Sequence, residues 1–267
     1  MNMQNISLIG AGVIGETLIS AFTAAGIAPG SIAIVEKRAE RVEELIAKYG
    51  VRSADLVESV STADLVLLVV KPQDMGALLK EISAKVNPAA TVVSLAAGIA
   101  TKTIENALGE VAVIRVMPNT PAVITKGMFV ASKGAHCDQT QFDQVLNLLR
   151  PSGSVLEVAE VDQDAVTALS GSGPAYIFLV AEALQAAGEK LGLEPDVARE
   201  LTVQTIFGSA QMLRDGADAA EARQRVTSPK GTTAAALEVL EERELRKAFE
   251  LALKAARDRS IELAEQA

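Results

Sequence analysis

Apolar and polar positions along this chain follow two patterns in succession. Through the first part, short runs rich in β-branched residues alternate with segments whose apolar positions recur every three or four residues. Ile6, Leu8 and Ile9 make the first strand, which ends at Gly10, and the amphipathic run Val13 to Ala25 follows at once. The breaker-rich turn Gly26 to Gly30 leads to the strand Ile32 to Val35 and the helix Ala39 to Tyr49. The alternation continues with strand Leu65 to Val70, helix Asp74 to Val86, strand Thr91 to Leu95, helix Thr101 to Leu108 and strand Val113 to Met117. Phe129 to Ser132 and Val155 to Val158 read as later strands, with the helix Gln139 to Leu149 between them. Such alternation predicts an α/β fold with a doubly wound, largely parallel sheet.

After about Ala159 the strand pattern stops. Helices are expected over Asp162 to Leu169, Ala175 to Leu191, Pro195 to Leu213, Ala219 to Val226, Thr232 to Leu240 and Glu244 to Glu265. Ile177, Val180, Ala181, Leu184 and Ala187 fall at helical spacing, a stripe that a second copy of the chain can bury. A division into residues 1–158 and 159–267 follows, two domains of ordinary size within 267 residues. No internal repeat, low-complexity segment or flexible linker separates them.

Composition narrows the ligand class. The formal charge of -9 and the pI near 4.9 argue against nucleic acid and anionic membrane, both of which demand clustered positive charge. Aromatics at 3% leave little for a stacking surface. No apolar run approaches the roughly 20 residues that cross a bilayer as a helix. The single cysteine, Cys137, cannot form an intrachain disulfide, and the first strand begins soon after Met1 without a signal-peptide pattern, so a cytoplasmic protein is expected.

Candidate chemistry begins at the end of the first strand. In NISLIGAGVIGE, Gly10, Gly12 and Gly15 stand in the spacing G-x-G-x-x-G between a strand and a helix, the context a dinucleotide site requires. One glycine permits the tight turn, the next lets backbone approach a pyrophosphate, and the third allows close helix–strand packing. Ala11, Val13 and Ile14 belong to the same loop and helix start, where unpaired N–H groups at the positive helix end would face the phosphates. Glu36 lies about twenty residues further on, where an acid accepts hydrogen bonds from the ribose hydroxyls of NAD. Lys37 and Arg38 follow immediately and suit the 2′-phosphate of NADP instead, so the residues themselves leave the choice open.

Further along, Val70-Lys71-Pro72 ends a second strand over the same crevice, and Ala96-Ala97-Gly98 ends a third with small residues that admit a ligand close to backbone. Pro118-Asn119-Thr120-Pro121 makes a polar break after a fourth. His136 is the only histidine and sits beside Cys137 in a loop without a spaced ligand set, so neither is expected to act, and no metal is expected. The chain lacks H-E-x-x-H, paired CxxC and G-x-S-x-G, which removes metal and serine hydrolysis. In the helical half, Ser170-Gly-Ser-Gly-Pro-Ala-Tyr176 and Thr227-Ser-Pro-Lys-Gly-Thr-Thr233 each lead into a helix. The second offers free N–H groups and hydroxyls to a carboxylate, beyond what capping by Ser228 or Thr232 explains.

On these residues the chain resembles the pyrroline-5-carboxylate reductases, which complete proline biosynthesis. The resemblance runs through nearly the whole chain: IGAGVIGE at Ile9 to Glu16, VKP at Val70 to Pro72, AAG at Ala96 to Gly98, RVMPNTPA at Arg115 to Ala122, DAVTALSGSGPAY at Asp164 to Tyr176 and VTSPKGTTAAAL at Val226 to Leu237. It implies a Rossmann domain followed by an all-α dimerisation domain, a homodimer or ring of dimers, and a substrate site near the dimer interface. The implied donor is NADPH or NADH; NADPH is the first expectation and NADH stays open. One departure stands out, for the family usually reads SPGGTT and here Lys230 takes the place of the first glycine.

Reduction of a protonated cyclic imine needs placement more than acid–base chemistry, since the carbon already carries positive charge. In that assignment the carboxylate of 1-pyrroline-5-carboxylate meets backbone N–H groups around Gly231 and Thr232, and the Thr233 hydroxyl meets the ring nitrogen. Two rivals remain. A β-hydroxyacid dehydrogenase would need a general base such as lysine, and Lys190, the only lysine of the helix Ala175 to Leu191, reads as surface. A nucleotide-sensing module would bind NAD(P) without turnover.

Overall fold

The computed structural model describes residues 5–265. The expectation of a chain without leader segment concerns residues 1–4 and lies outside the described residues, as do the outermost positions of the two sequence-assigned domains. The chain divides into two compact units, one running to Ser172 and resuming at Ala255, the other Gly173–Lys254.

The first unit holds an eight-stranded sheet: β1 (Ile6–Ile9), β2 (Ile32–Val35), β3 (Arg52–Ser53), β4 (Leu65–Leu68), β5 (Thr91–Ser94), β6 (Ala112–Met117), β7 (Gly127–Lys133) and β8 (Gly153–Glu157). Their spatial order is β3-β2-β1-β4-β5-β6-β7-β8. All neighbours run parallel except β6 and β7. The chain builds outward from β1 through β2 to β3, then crosses back to place β4 on the other side of β1. That reversal opens a crevice beyond the carboxyl ends of β1 and β4.

Helices α1 (Val13–Ala24), α2 (Ala39–Tyr49), α3 (Leu56–Thr62), α4 (Pro72–Ile82), α5 (Thr101–Leu108) and α6 (Gln139–Leu149) connect the strands. Successive strand residues point to opposite faces. Leu8, Ile34, Leu67 and Val93 therefore join Leu18, Phe22, Phe129 and Phe142 in one buried cluster. Ile9, Leu68 and Val92 join Val60, Leu79, Ile82 and Ile104 in the other. A sheet buried on both sides explains why its strands read as continuous apolar runs.

Several boundaries differ from the sequence expectation. The strand expected to reach Val70 ends at Leu68, because its partner Ile9 is the last residue of β1 before the glycine turn. The helix expected from Asp74 to Val86 begins at Pro72, whose missing N–H suits the first helical position, and ends at Ile82. Beyond it Asn87 is pushed out of the helical region by Pro88. Neither β3 nor α3 was expected from the residue pattern. The strand has two residues, and LVESVST is built largely from weak helix formers, stabilised by Asp55, whose carboxylate accepts from the N–H groups of Val57 and Glu58.

After α7 (Gln163–Val166) and a wider turn over Thr167–Gly171, the second unit carries α8 (Gly173–Lys190), α9 (Pro195–Arg214), α10 (Ala219–Arg225), α11 (Thr232–Glu242) and the start of α12 (Leu245–Glu265). Within the single chain most of its large apolar side chains stay open to solvent: α8 contains no buried residue, and Phe178 and Phe207 are 61% and 62% exposed. An apolar surface of this extent marks an interaction site. Among the described residues no helix is long and apolar enough to cross a membrane.

Candidate active site

The turn after β1 is shaped by two glycines for two different reasons. Gly10 takes φ +92 while its N–H donates to the Val35 carbonyl, and a Cβ there would stand 2.6 Å from the Val69 carbonyl oxygen. A Cβ at Gly15 would meet the Gly10 carbonyl oxygen at 2.5 Å, so that residue lets α1 pack onto the turn. Gly12 is unlike either. It starts α1 with φ -70 and no side-chain cap, and a Cβ there would meet nothing within 4 Å. Protein packing does not require that glycine; a ligand on the uncapped N–H groups would.

Around this turn lies a cavity of about 740 Å³, within the range of cofactor sites. Gly10 and Gly12, the residues Glu36, Lys37 and Arg38 past β2, and Val70 and Lys71 past β4 all line it. Lys71 caps α4 by position and Pro72 begins it. Ala96, Ala97 and Gly98 follow β5, and Asn119 follows β6, at the same edge of the sheet but outside that lining. The Asn119 amide is engaged: its Oδ1 accepts from the Met128 N–H at 2.8 Å and its Nδ2 donates to the Ser170 carbonyl at 3.3 Å.

Charges brace the loop. The Glu36 Oε2 accepts from the Ala11 N–H at 3.1 Å, and the carboxylate is clasped by Arg38 through Nε at 3.0 Å and Nη2 at 3.2 Å. The Arg38 side chain, and then the backbone N–H groups of Arg38 and Ala11, hold this carboxyl below the usual range against the opposing effect of burial. Behind the loop, Arg41 donates from Nε to the Ala11 carbonyl at 3.0 Å and also pairs with Glu16. Lys48 and Arg41 together bring the Glu16 carboxyl down to about 2. Neither Arg41 nor Lys48 was singled out from sequence, because they lie 25 and 32 residues from Glu16.

Thr232 and Thr233 open α11 in the second unit. Gly231 is its N-cap, and no side chain satisfies the first turn. Lys230 holds φ +60, a left-handed conformation that glycine adopts freely and lysine only at a cost of about 1–2 kcal/mol. A glycine at this position would take the same backbone without that cost. His136 is exposed, whereas burial first and the Asp138 charge second push the Cys137 thiol up to about 11, unsuited to a nucleophile. Among the described residues no group of three His, Cys, Asp or Glu side chains can hold a metal ion.

A family model described as pyrroline-5-carboxylate reductase dimerisation matches residues 160–263, and one described as NADP oxidoreductase, coenzyme F420-dependent, matches residues 5–98. The pyrroline-5-carboxylate reductase of Corynebacterium melassecola is 45% identical, the match covering 98% of this chain and 99% of that protein. The chain belongs to the pyrroline-5-carboxylate reductase family. Solved structures of the family agree. That of Coxiella burnetii superposes with a TM-score of 0.89 at 37% identity, over 98% of this chain and 99% of the other. The Plasmodium falciparum pyrroline carboxylate reductase, solved with NADP bound, gives 0.87 at 26% identity, covering 99% of each. The reductase fold is thus a Rossmann-type sheet followed by a helical dimerisation domain, as the strand–helix alternation and the later helical spacing anticipated.

Proposed function

We propose that this chain reduces 1-pyrroline-5-carboxylate to L-proline with NAD(P)H. Membership of the reductase family along 98% of the chain carries the reading. Residues 1–158 bind the dinucleotide and residues 159–267 the substrate and a second copy. The dinucleotide supplies a hydride from its nicotinamide ring. The chain supplies placement: Gly10 to Gly15 seat the pyrophosphate, Glu36 to Arg38 the adenosine ribose, and the strand ends at Val70 to Pro72, Ala96 to Gly98 and Asn119 the wall along the remaining length. The Gly231 N–H, expected to share in holding the substrate carboxylate, instead donates to the Ser228 carbonyl at 3.0 Å and closes the turn, so the N–H groups from Thr232 into the first turn of α11 hold that carboxylate. The hydride adds to the carbon of the protonated C=N, and the π electrons pass to nitrogen, leaving a neutral ring amine. Comparing NAD(P)H oxidation with 1-pyrroline-5-carboxylate against NAD(P)⁺ reduction with a β-hydroxy acid tests the reading. Turnover of the hydroxy acid alone would favour the dehydrogenase alternative.

Thr233 is half-buried one residue beyond the cradle, and its hydroxyl oxygen accepts from the protonated ring N–H without titrating near neutral pH. Such a bond is worth about 1–3 kcal/mol with a charged partner, or roughly tenfold to a hundredfold in rate. Thr233→Ala is expected to lower kcat/KM by that factor, with dinucleotide affinity and the shape of the pH profile unchanged. An alanine variant that is less stable yet fully active would remove Thr233 from the mechanism.

The exposed apolar faces of α8 and α9 support a homodimer or a ring of dimers, the net charge of -9 speaks against a nucleic-acid partner, and the cytoplasm is the proposed location. Light scattering at assay concentration is expected to find no active monomer, and an active monomer would refute the obligate dimer.

A further inference from the structure

Ser228 to Gly231 form a tight turn immediately before α11. The Gly231 N–H donates to the Ser228 carbonyl at 3.0 Å, with Pro229 and Lys230 at the two central positions. Proline presets φ at the first of them, and the second holds φ +60. That is the arrangement of a type II turn, whose second central position calls for glycine or asparagine. Pro229 follows the chemistry of the turn and Lys230 departs from it. Lys230 also places a positive charge beside Gly231, the N-cap of an 11-residue helix whose first turn no side chain satisfies. A cation at that end opposes the helix dipole. The Lys230 side chain is exposed and among the described residues makes no ion pair, whereas Arg225 pairs with Glu221 and Arg246 with Glu241. Lysine is thus unfavourable to the free loop in two ways at one position. An anion seated over the helix start turns the electrostatic one into an attraction.

We propose that Lys230 is a specificity-determining residue of the substrate site, its ammonium drawing in the carboxylate of the cyclic imine that the N–H groups at the start of α11 hold. This role rests on the substrate site of the proposed function. The helix N–H groups fix where the carboxylate sits. Lysine, a point charge on a flexible four-carbon stem, adds attraction without fixing geometry. Its effect therefore falls on capture of the substrate and not on hydride transfer, and salt screens it. An imine that lacks a carboxylate gains nothing from it.

Steady-state kinetics with 1-pyrroline-5-carboxylate at ionic strengths of about 0.02 M and about 0.3 M test this in wild type, Lys230→Asn, Lys230→Gly and Lys230→Arg. Asparagine and glycine accept the left-handed position and remove the charge, so their thermal midpoints are expected at or above wild type. In both, KM at low salt is expected to rise about threefold to fivefold with kcat close to wild type, and the gap is expected to close at high salt. Lys230→Arg keeps the charge and the low KM. The same ring without the carboxylate, 1-pyrroline, is expected to inhibit all four proteins equally. A wild-type KM in the folded, uncharged variants, a rise that salt leaves untouched, or a rise shared by 1-pyrroline inhibition would overturn the proposal. Absence of turnover in wild type would count against the reductase reading instead. Titration of L-proline onto wild type and Lys230→Asn at both ionic strengths then decides the role of Lys230 by itself, equal affinities at low salt overturning it.

Discussion

Gly12→Val is expected to weaken NAD(P)H binding about a hundredfold in a protein that remains folded. The argument depends on the contrast among three glycines of one turn. At Gly10 and Gly15 a Cβ would collide with backbone oxygen at 2.6 and 2.5 Å, so substitution there damages the turn itself and reports on stability. At Gly12 the backbone is ordinary, φ -70, and a Cβ meets nothing within 4 Å. The space a valine would fill lies over the uncapped start of α1, where a pyrophosphate must come closest. Displacing it forfeits several charge-assisted hydrogen bonds, a loss of about 3 kcal/mol or a hundredfold in Kd. Fluorescence titration with NADPH and NADH, beside a thermal midpoint close to wild type, checks both halves of the claim. Unchanged affinity in the folded variant would place the cofactor elsewhere.

Arg115→Met is expected to destabilise the chain by about 2–3 kcal/mol without touching the dinucleotide site. Arg115 sits in β6 with its side chain 6% exposed, 3.3 Å from Asp164 and 3.9 Å from Glu160. Asp164 also accepts from the Ser260 hydroxyl at 2.7 Å, and Glu160 accepts from the N–H and hydroxyl of Thr101 at 2.6 and 2.7 Å. One guanidinium thus ties the sheet to the start of α5, to α7 and to the last part of α12. Methionine fills much of the volume but leaves two carboxylates without their cation. They are 26% and 30% exposed, and the water that reaches them keeps the loss below that of a fully buried pair. Calorimetry should show the midpoint falling by roughly 5–10 °C, with NAD(P)H affinity retained. A midpoint within a degree of wild type would show the network to be dispensable.

These two sites differ in how far sequence revealed them. The glycine turn is a local object: strand, turn and helix are consecutive, and their spacing carries the geometry. The crevice was legible for the same reason, since β1, β2 and β4 each end in a recognisable break. Glu36 was legible as an acid just past the second strand, but its clasp by Arg38 was not, because the direction of two side chains beyond a strand end is set by the Ala11 N–H across the turn. The Arg115 network joins residues 49 and 96 positions apart through Asp164, and nothing in local pattern announces such a junction. Lys230 shows the opposite case. The substitution was visible and its backbone effect was not, since a left-handed residue is specified by the surrounding loop. In α8 the stripe Ile177, Val180, Ala181, Leu184 was read correctly as helical, yet within one chain Ile177, Val180 and Leu184 remain exposed, an open apolar face within the matched dimerisation domain.

The central claim is hydride transfer to a cyclic imine, and isotope transfer tests it most directly. The purified protein would be given 1-pyrroline-5-carboxylate with NADPH or NADH carrying deuterium at nicotinamide C4 on the transferred face. The account predicts proline bearing one deuterium on the former imine carbon, formed in the same amount as donor oxidised. Protein that is folded and binds the dinucleotide, yet oxidises neither donor in the presence of 1-pyrroline-5-carboxylate, would contradict it.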